Sequence, residues 1–190
     1  MKTLETLQAR RTYYNINKEI PVSVEDIVKF VEQATELVPD SFNMKSSRVV
    51  VALGEQHDAL WDTIYDVFEG KVAREKIDSF KAGYGTVLYF VDQPTVEKLQ
   101  GQFPIYADRF PHWAAQSAAM LQISVWEGLR EMGVGASLQH YNPVINEAVQ
   151  KLFNLPSNWV LDAQMPFGGI VAEPEAKEKE DISQRVVVKK

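Results

Sequence analysis

Two short runs, residues 48–53 (RVVVAL) and 86–91 (TVLYFV), most restrict what this chain can fold into. Both are rich in β-branched or aromatic residues and lack polar alternation, so they read as buried strands. Helical spacing fills the sequence around them. Leu4 and Leu7 predict a short first helix ending near an Arg-Arg-Thr turn. Ser23 is a good N-cap with Asp26 at the third helical position; Val24, Ile27, Val28, Val31 and Ala34 follow, and Pro39 ends the segment. Residues 57–68 read as a helix, with Leu60, Ile64 and Phe68 four apart. Residues 113–132 form the longest helical stretch, and their small side chains suit close packing in the middle of a protein. A short strand is expected at 134–138, a helix at about 143–153, and strand pieces at 159–164 and 169–172 around Gly168. The tail, 184–190, ends in RVVVKK and reads as a short strand with a charged end. Helices with four or five strands place the chain in the α+β or mixed α/β class.

A length of 190 residues suits one domain spanning 1–190, and 45% hydrophobic residues suffice for a real core. Charged residues number 20 Lys and Arg against 26 Asp and Glu, a formal net charge of −6 with no long basic stretch. That disfavours a nucleic-acid partner tracking phosphates. With no Cys there is no disulfide framework, thiolate zinc site or cysteine nucleophile. The opening MKTLETLQARR has no apolar core of a signal peptide, and no apolar run approaches the ~20 residues that cross a membrane. A soluble cytoplasmic protein is expected. No P-loop, Rossmann fingerprint or G-x-S-x-G elbow occurs, and His57, His112 and His140 are far apart with no H-E-x-x-H pair, so no metal is expected.

Four constellations remain. Arg10, Arg11 and Thr12 put two guanidinium forks and a hydroxyl at one turn. They suit a phosphate dianion, or equally a solvated helix end whose cations complement the macrodipole. Pro39, Asp40, Ser41, Phe42 and Asn43 offer an amide and a hydroxyl, to cap a turn or to read a heterocycle's polar edge. Residues 135–143 run from a strand into a polar, aromatic loop with Leu138, Gln139 and His140, which is also an ordinary capping loop. Lys177 and Lys179 lie in a charged connection, EPEAKEKED, that by itself reads as a solvated run.

Together these pieces resemble the FMN-dependent nitroreductases. ArgArgThr-x-Tyr is similar to that family's Arg-Arg-Ser opening. Pro39-Asp40-Ser41-Phe42-Asn43, then Arg48 and its strand, resemble the Pro-Ser-Ser-x-Asn-x-Gln-Pro-Trp segment before the family's first strand. Lys81-x-x-Tyr-Gly-Thr-Val-Leu-Tyr-Phe, the helix at 113–132 and Leu138-Gln139-His140-Tyr141-Asn142 look most like its compact branch, the "fatty acid repression mutant"-like nitroreductases. Asp40 departs from the usual serine, Lys45-Ser46-Ser47 replaces Gln-Pro-Trp, and the excursion that covers the flavin in larger members is shortened.

The resemblance implies an α+β fold with a central, mostly antiparallel sheet of four or five strands packed by helices, in an intertwined homodimer. It implies FMN as cofactor, NADH or NADPH as donor, and a small oxidant such as a nitroaromatic or quinone, reduced in a ping-pong cycle. Arg10, Arg11, Thr12, Lys177 and Lys179 would hold the phosphate and ribityl chain. Pro39, Asp40, Ser41 and Asn43 would reach the isoalloxazine from the other subunit. Lys81 would sit near N1 and O2, where a cation stabilises the reduced ring. Leu138, Gln139 and His140 would lie against the ring's other face, and His140 or Tyr141 would be the protein's proton donor if there is one. Gly168 and Gly169, in a loop after a core strand, would let backbone approach the cofactor. The strand at 182–190 would reach the partner subunit. Two other readings are a flavin-binding sensor with little turnover, and a flavin-free enzyme using Arg10, Arg11 and His140 on a phosphorylated metabolite.

Overall fold

The structure, a computed structural model, describes residues 2–178 and 180–190. Its elements are α1 (Lys2–Ala9), β1 (Ile16–Asn17), α2 (Val24–Leu37), β2 (Ser47–Leu53), α3 (Glu55–Val67), α4 (Arg74–Lys81), β3 (Gly85–Asp92), α5 (Gln93–Gln102), α6 (Phe110–Glu131), β4 (Val134–Ala136), α7 (Asn146–Leu152) and β5 (Trp159–Ile170). All pairings are antiparallel in the order β1-β5-β3-β2, and β4 also pairs with β5. This is the α+β sheet that the resemblance implies.

The apolar runs are strands because helices cover both faces of the sheet. Val87 and Tyr89 of β3 pack with Ile27 and Val31 of α2 and Leu121, Val125 and Leu129 of α6. Leu88 and Phe90 point the other way, against Leu60, Trp61 and Ile64 of α3, Ile77 and Phe80 of α4, and Val149 of α7. Every residue of β3 is buried, so the strand has no polar side to show. Ser23 caps α2 as expected, its side chain accepting from the Asp26 N–H. No helix among the described residues is long and apolar enough to cross a membrane.

Several sequence expectations are corrected. The pieces at 159–164 and 169–172 are one twelve-residue strand, β5, which runs through Gly168. The strand at 134–138 stops at Ala136 and continues only as a bridge between Gln139 and Gln164. The helix expected at 143–153 begins at Asn146. The tail forms a 3₁₀ turn at Ile182–Gln184, and residues 186–190 pair with no strand among the described residues. A strand needs a neighbour, and the β-branched tail has none here. The short β1, α4 and α5 went unread in the sequence.

Candidate functional site

Beyond α1 the chain turns across the end of β4. Arg10 lays its guanidinium 4.2 Å from the centroid of the Trp126 ring on α6. Trp126 Nε1 donates to the Ala136 carbonyl at 3.1 Å, and the Tyr13 N–H donates to the same oxygen at 3.0 Å. Arg11 Nη2 donates to the Glu175 carbonyl, while Arg11 Nε is buried without an acceptor. Arg10, Arg11 and Lys177 thereby wall one cleft of about 470 Å³ together with Leu7, Gln8 and Ala176. Thr12, half-buried in the same turn, does not line it, and Lys179 lies outside the described residues. Two guanidiniums, one of them with a buried Nε–H that lacks an acceptor, and an ammonium are a donor set that fits a phosphate dianion.

The second constellation lies elsewhere. Asp40 Oδ2 accepts from both the N–H and the hydroxyl of buried Ser46, at 2.7 and 2.8 Å. Those bonds close a loop in which Phe42, Asn43 and Lys45 have φ of 56°, 49° and 56°, a left-handed conformation uncommon for non-glycine residues. Asn43, Asp40 and Pro39 line a cavity of about 310 Å³ with Ser117 and Leu121 of α6; Ser41 does not. This cavity shares no lining residue with the cationic cleft.

Lys81 ends α4 with Nζ on Asp62 Oδ2 at 2.6 Å, and that hydrogen bond is the main reason the Asp62 carboxyl is held below its usual range. The neighbouring Phe80 ring lies 6.3 Å from Tyr14, which brings the end of α4 beside the arginine turn. Leu138, Gln139 and His140 follow β4. Gln139 exchanges backbone hydrogen bonds with Gln164 at 2.7 and 2.9 Å. The fully buried Gln164 amide accepts from the Tyr141 N–H at 2.8 Å and donates to Asn142 Oδ1 at 3.1 Å. His140 is exposed. Tyr141 packs on Trp61, Phe68 and Phe80, and burial pushes its hydroxyl pKa up.

Gly168 and Gly169 do not lie in a loop. Both are inside β5, and a Cβ on either would strike protein backbone, the carbonyl of Asn17 at Gly168 and that of Glu19 at Gly169. Their bareness admits β1 and the chain after it, which removes the reason for giving them to a cofactor. Trp126, Gln164 and Asp62 went unread in the sequence, because each meets its partner through a contact that no local pattern marks.

An antiparallel sheet enclosed by helices, with a cationic cleft where the first loop meets the segment after the last strand, defines an α+β protein equipped for an anionic ligand. The Nitroreductase family profile matches residues 7–169. The chain is 34% identical to nitroreductase FRM2 of Saccharomyces cerevisiae over 177 residues, 92% of this chain and 91% of that protein. Nitroreductase CinD from Lactococcus lactis, solved with chloramphenicol, superposes with a TM-score of 0.94 at 38% identity, covering 99% of this chain and 100% of CinD. A nitroreductase-fold protein of Exiguobacterium sibiricum, solved with FMN, shares the fold at a TM-score of 0.75 and 14% identity, over 98% and 96% of the two chains. The chain belongs to the nitroreductase family and is an oxidoreductase.

Proposed function

We propose that the chain uses FMN to take hydride from NADH or NADPH and pass it to nitroaromatic, quinone or similar small oxidants in a ping-pong cycle. The cleft formed by Arg10, Arg11 and Lys177 carries this reading, because it concentrates cations in a chain of net charge −6. CinD supports the oxidant class: it has been solved with chloramphenicol and with 4-nitrophenol, both nitroaromatic. Bound FMN would supply the two-electron chemistry that no side chain provides.

The chain's residues bind and orient. Arg10, Arg11 and Lys177, with Thr12 and Lys179, hold the phosphate. Lys81 offers a cation to the ring's pyrimidine edge, with Asp62 tempering its charge. Leu138, Gln139 and His140 form the wall against the ring, fixed from beneath by Gln164. Tyr141 stays protonated at neutral pH, and exposed His140 is the other group able to hold a proton. No nucleophile is required.

Residues 1–190 act in this reading as one FMN-binding domain within a homodimer. Pro39, Asp40, Ser41 and Asn43 serve the partner's flavin, consistent with a cavity separate from the chain's own cleft. The tail at 182–190 crosses to the partner. Val186, Val187 and Val188 are exposed, and one edge of β2 is unpaired among the described residues, beside a groove lined by Val28, Val31, Val49 and Val51.

The test is the visible spectrum of the purified protein during anaerobic addition of NADH or NADPH. A yellow protein that bleaches and is reoxidised by a quinone or nitroaromatic is expected. Colourless protein rejects the reading, and yellow protein that never bleaches marks a flavin-binding sensor instead.

A further inference from the structure

The cationic cleft is assembled from two ends of the chain, and something must hold them together. Lys177 lies in a segment without regular secondary structure, seven residues beyond the end of β5 at Ile170, and is itself exposed. A free segment of that length would spread its ammonium over a wide volume. Three side chains outside the cleft restrain it. Tyr13 is 2% exposed, and its hydroxyl donates to Glu173 Oε2 at 2.8 Å. The same hydroxyl accepts from Arg130 Nε, at the end of α6, at 3.0 Å. Arg130 Nη2 also stands 3.8 Å from Glu173 Oε1, closing a triangle. The phenol is the only one of the three that is buried, and burial together with the Glu173 bond pushes its pKa up, so it remains a donor. Two residues further on, the Glu175 carbonyl accepts from Arg11, so the segment is pinned on both sides of Pro174.

We propose that Tyr13, Arg130 and Glu173 form a latch that seats the segment after β5 against the arginine turn and places Lys177 in the cleft. The latch makes the cleft selective for a flavin carrying a phosphate monoester over the same flavin without it. This rests on the flavin reading above. The three are positioning residues: none lines the cleft. They act on the phosphate through Lys177 and through Arg11. Arg11 is held by a neutral carbonyl, which a dianion can displace because a charge-assisted bond is the stronger.

Tyr13→Phe keeps the buried ring and removes only the hydroxyl, and Glu173→Gln keeps the shape of the exposed partner. Equilibrium dialysis of each variant against FMN and against riboflavin, with hydrogen exchange of residues 171–178 in flavin-free protein, tests the proposal. FMN affinity should fall about three- to tenfold, the size of one lost hydrogen bond. Riboflavin affinity should not change, and exchange over 171–178 should quicken while the thermal unfolding curve of Glu173→Gln stays in place. Equal losses for both flavins, or unchanged exchange over 171–178, would overturn the latch while leaving the flavin reading intact. Wild-type protein that binds FMN no better than riboflavin would overturn the phosphate reading itself, and the latch with it.

Discussion

Asp40 and Ser46 depart from the family's pattern together, and they bond to each other. A proline at position 46 has no N–H to give, whereas Ser46 gives both its N–H and its hydroxyl to one carboxylate oxygen. The pair holds shut a loop containing three left-handed non-glycine residues, each of which costs energy on its own. Asp40→Ala should therefore destabilise the chain by about 1–3 kcal/mol, the cost of stranding buried donors. Urea unfolding measures this, and an unchanged midpoint would mean the two bonds add nothing. The sequence showed Asp40 only as an exception; its partner became visible once the loop had a shape. The cations at 10, 11 and 177 were singled out only through the family resemblance, since by themselves a helix end and a charged run in the sequence read equally as solvated surface. Trp126 under Arg10 could not be read at all, because its pattern is that of any aromatic on a helix.

His57 ties three elements at one point. Its Nδ1 meets Thr86 Oγ1 of β3 at 2.9 Å, and Nε2 meets the Lys81 carbonyl at the end of α4 at 3.2 Å. Trp61 Nε1 donates to the same threonine oxygen at 3.0 Å. The neutral Nε2–H tautomer satisfies every partner: Thr86 donates to Nδ1, and Nε2 donates to the carbonyl. Burial draws the imidazole below the usual histidine range, partly opposed by the Lys81 carbonyl. The unfolded chain thus takes up this proton first as pH falls. Stability from this site is fully present above about pH 6.5 and is lost as pH drops toward the lower folded value. Unfolding free energies measured from pH 7.5 to 5 should fall for the wild type more steeply than for His57→Gln, and parallel slopes would sink the idea. The elements themselves were legible where apolar residues ran without alternation, as in β2 and β3, or where periodicity ran long, as in α2 and α6. Only β3 is buried throughout, however; β2, read as a buried strand, lies at the sheet's edge and fully buries only Ala52. No such signal marked β1, two residues long and defined by its pairing with Gly169 and Ile170. The polar α4 escaped too, since only Ile77 and Phe80 of its eight residues are buried.

At the scale of the molecule, the cleft and the Asn43 cavity stand apart, and the proposed homodimer makes each half of a site. A dimer mixed from Arg11→Ala and Asn43→Leu chains, tagged differently and co-expressed, should collect both lesions in one site and neither in the other. Titration should then find about one tight FMN site per heterodimer. Two equally weakened sites would place the pocket within one chain. Sheet order has a separate consequence, for synthesis. Of the strands among the described residues, the last to be made, β5, is the one to which β1, β3 and β4 all pair. Until residue 170 emerges, β2 and β3 have only each other, and β1 and β4, whose only strand neighbour among the described residues is β5, have none. The arginine turn is made long before Lys177, so the cleft that the two share stays incomplete until the segment after β5 has emerged and folded back against that turn.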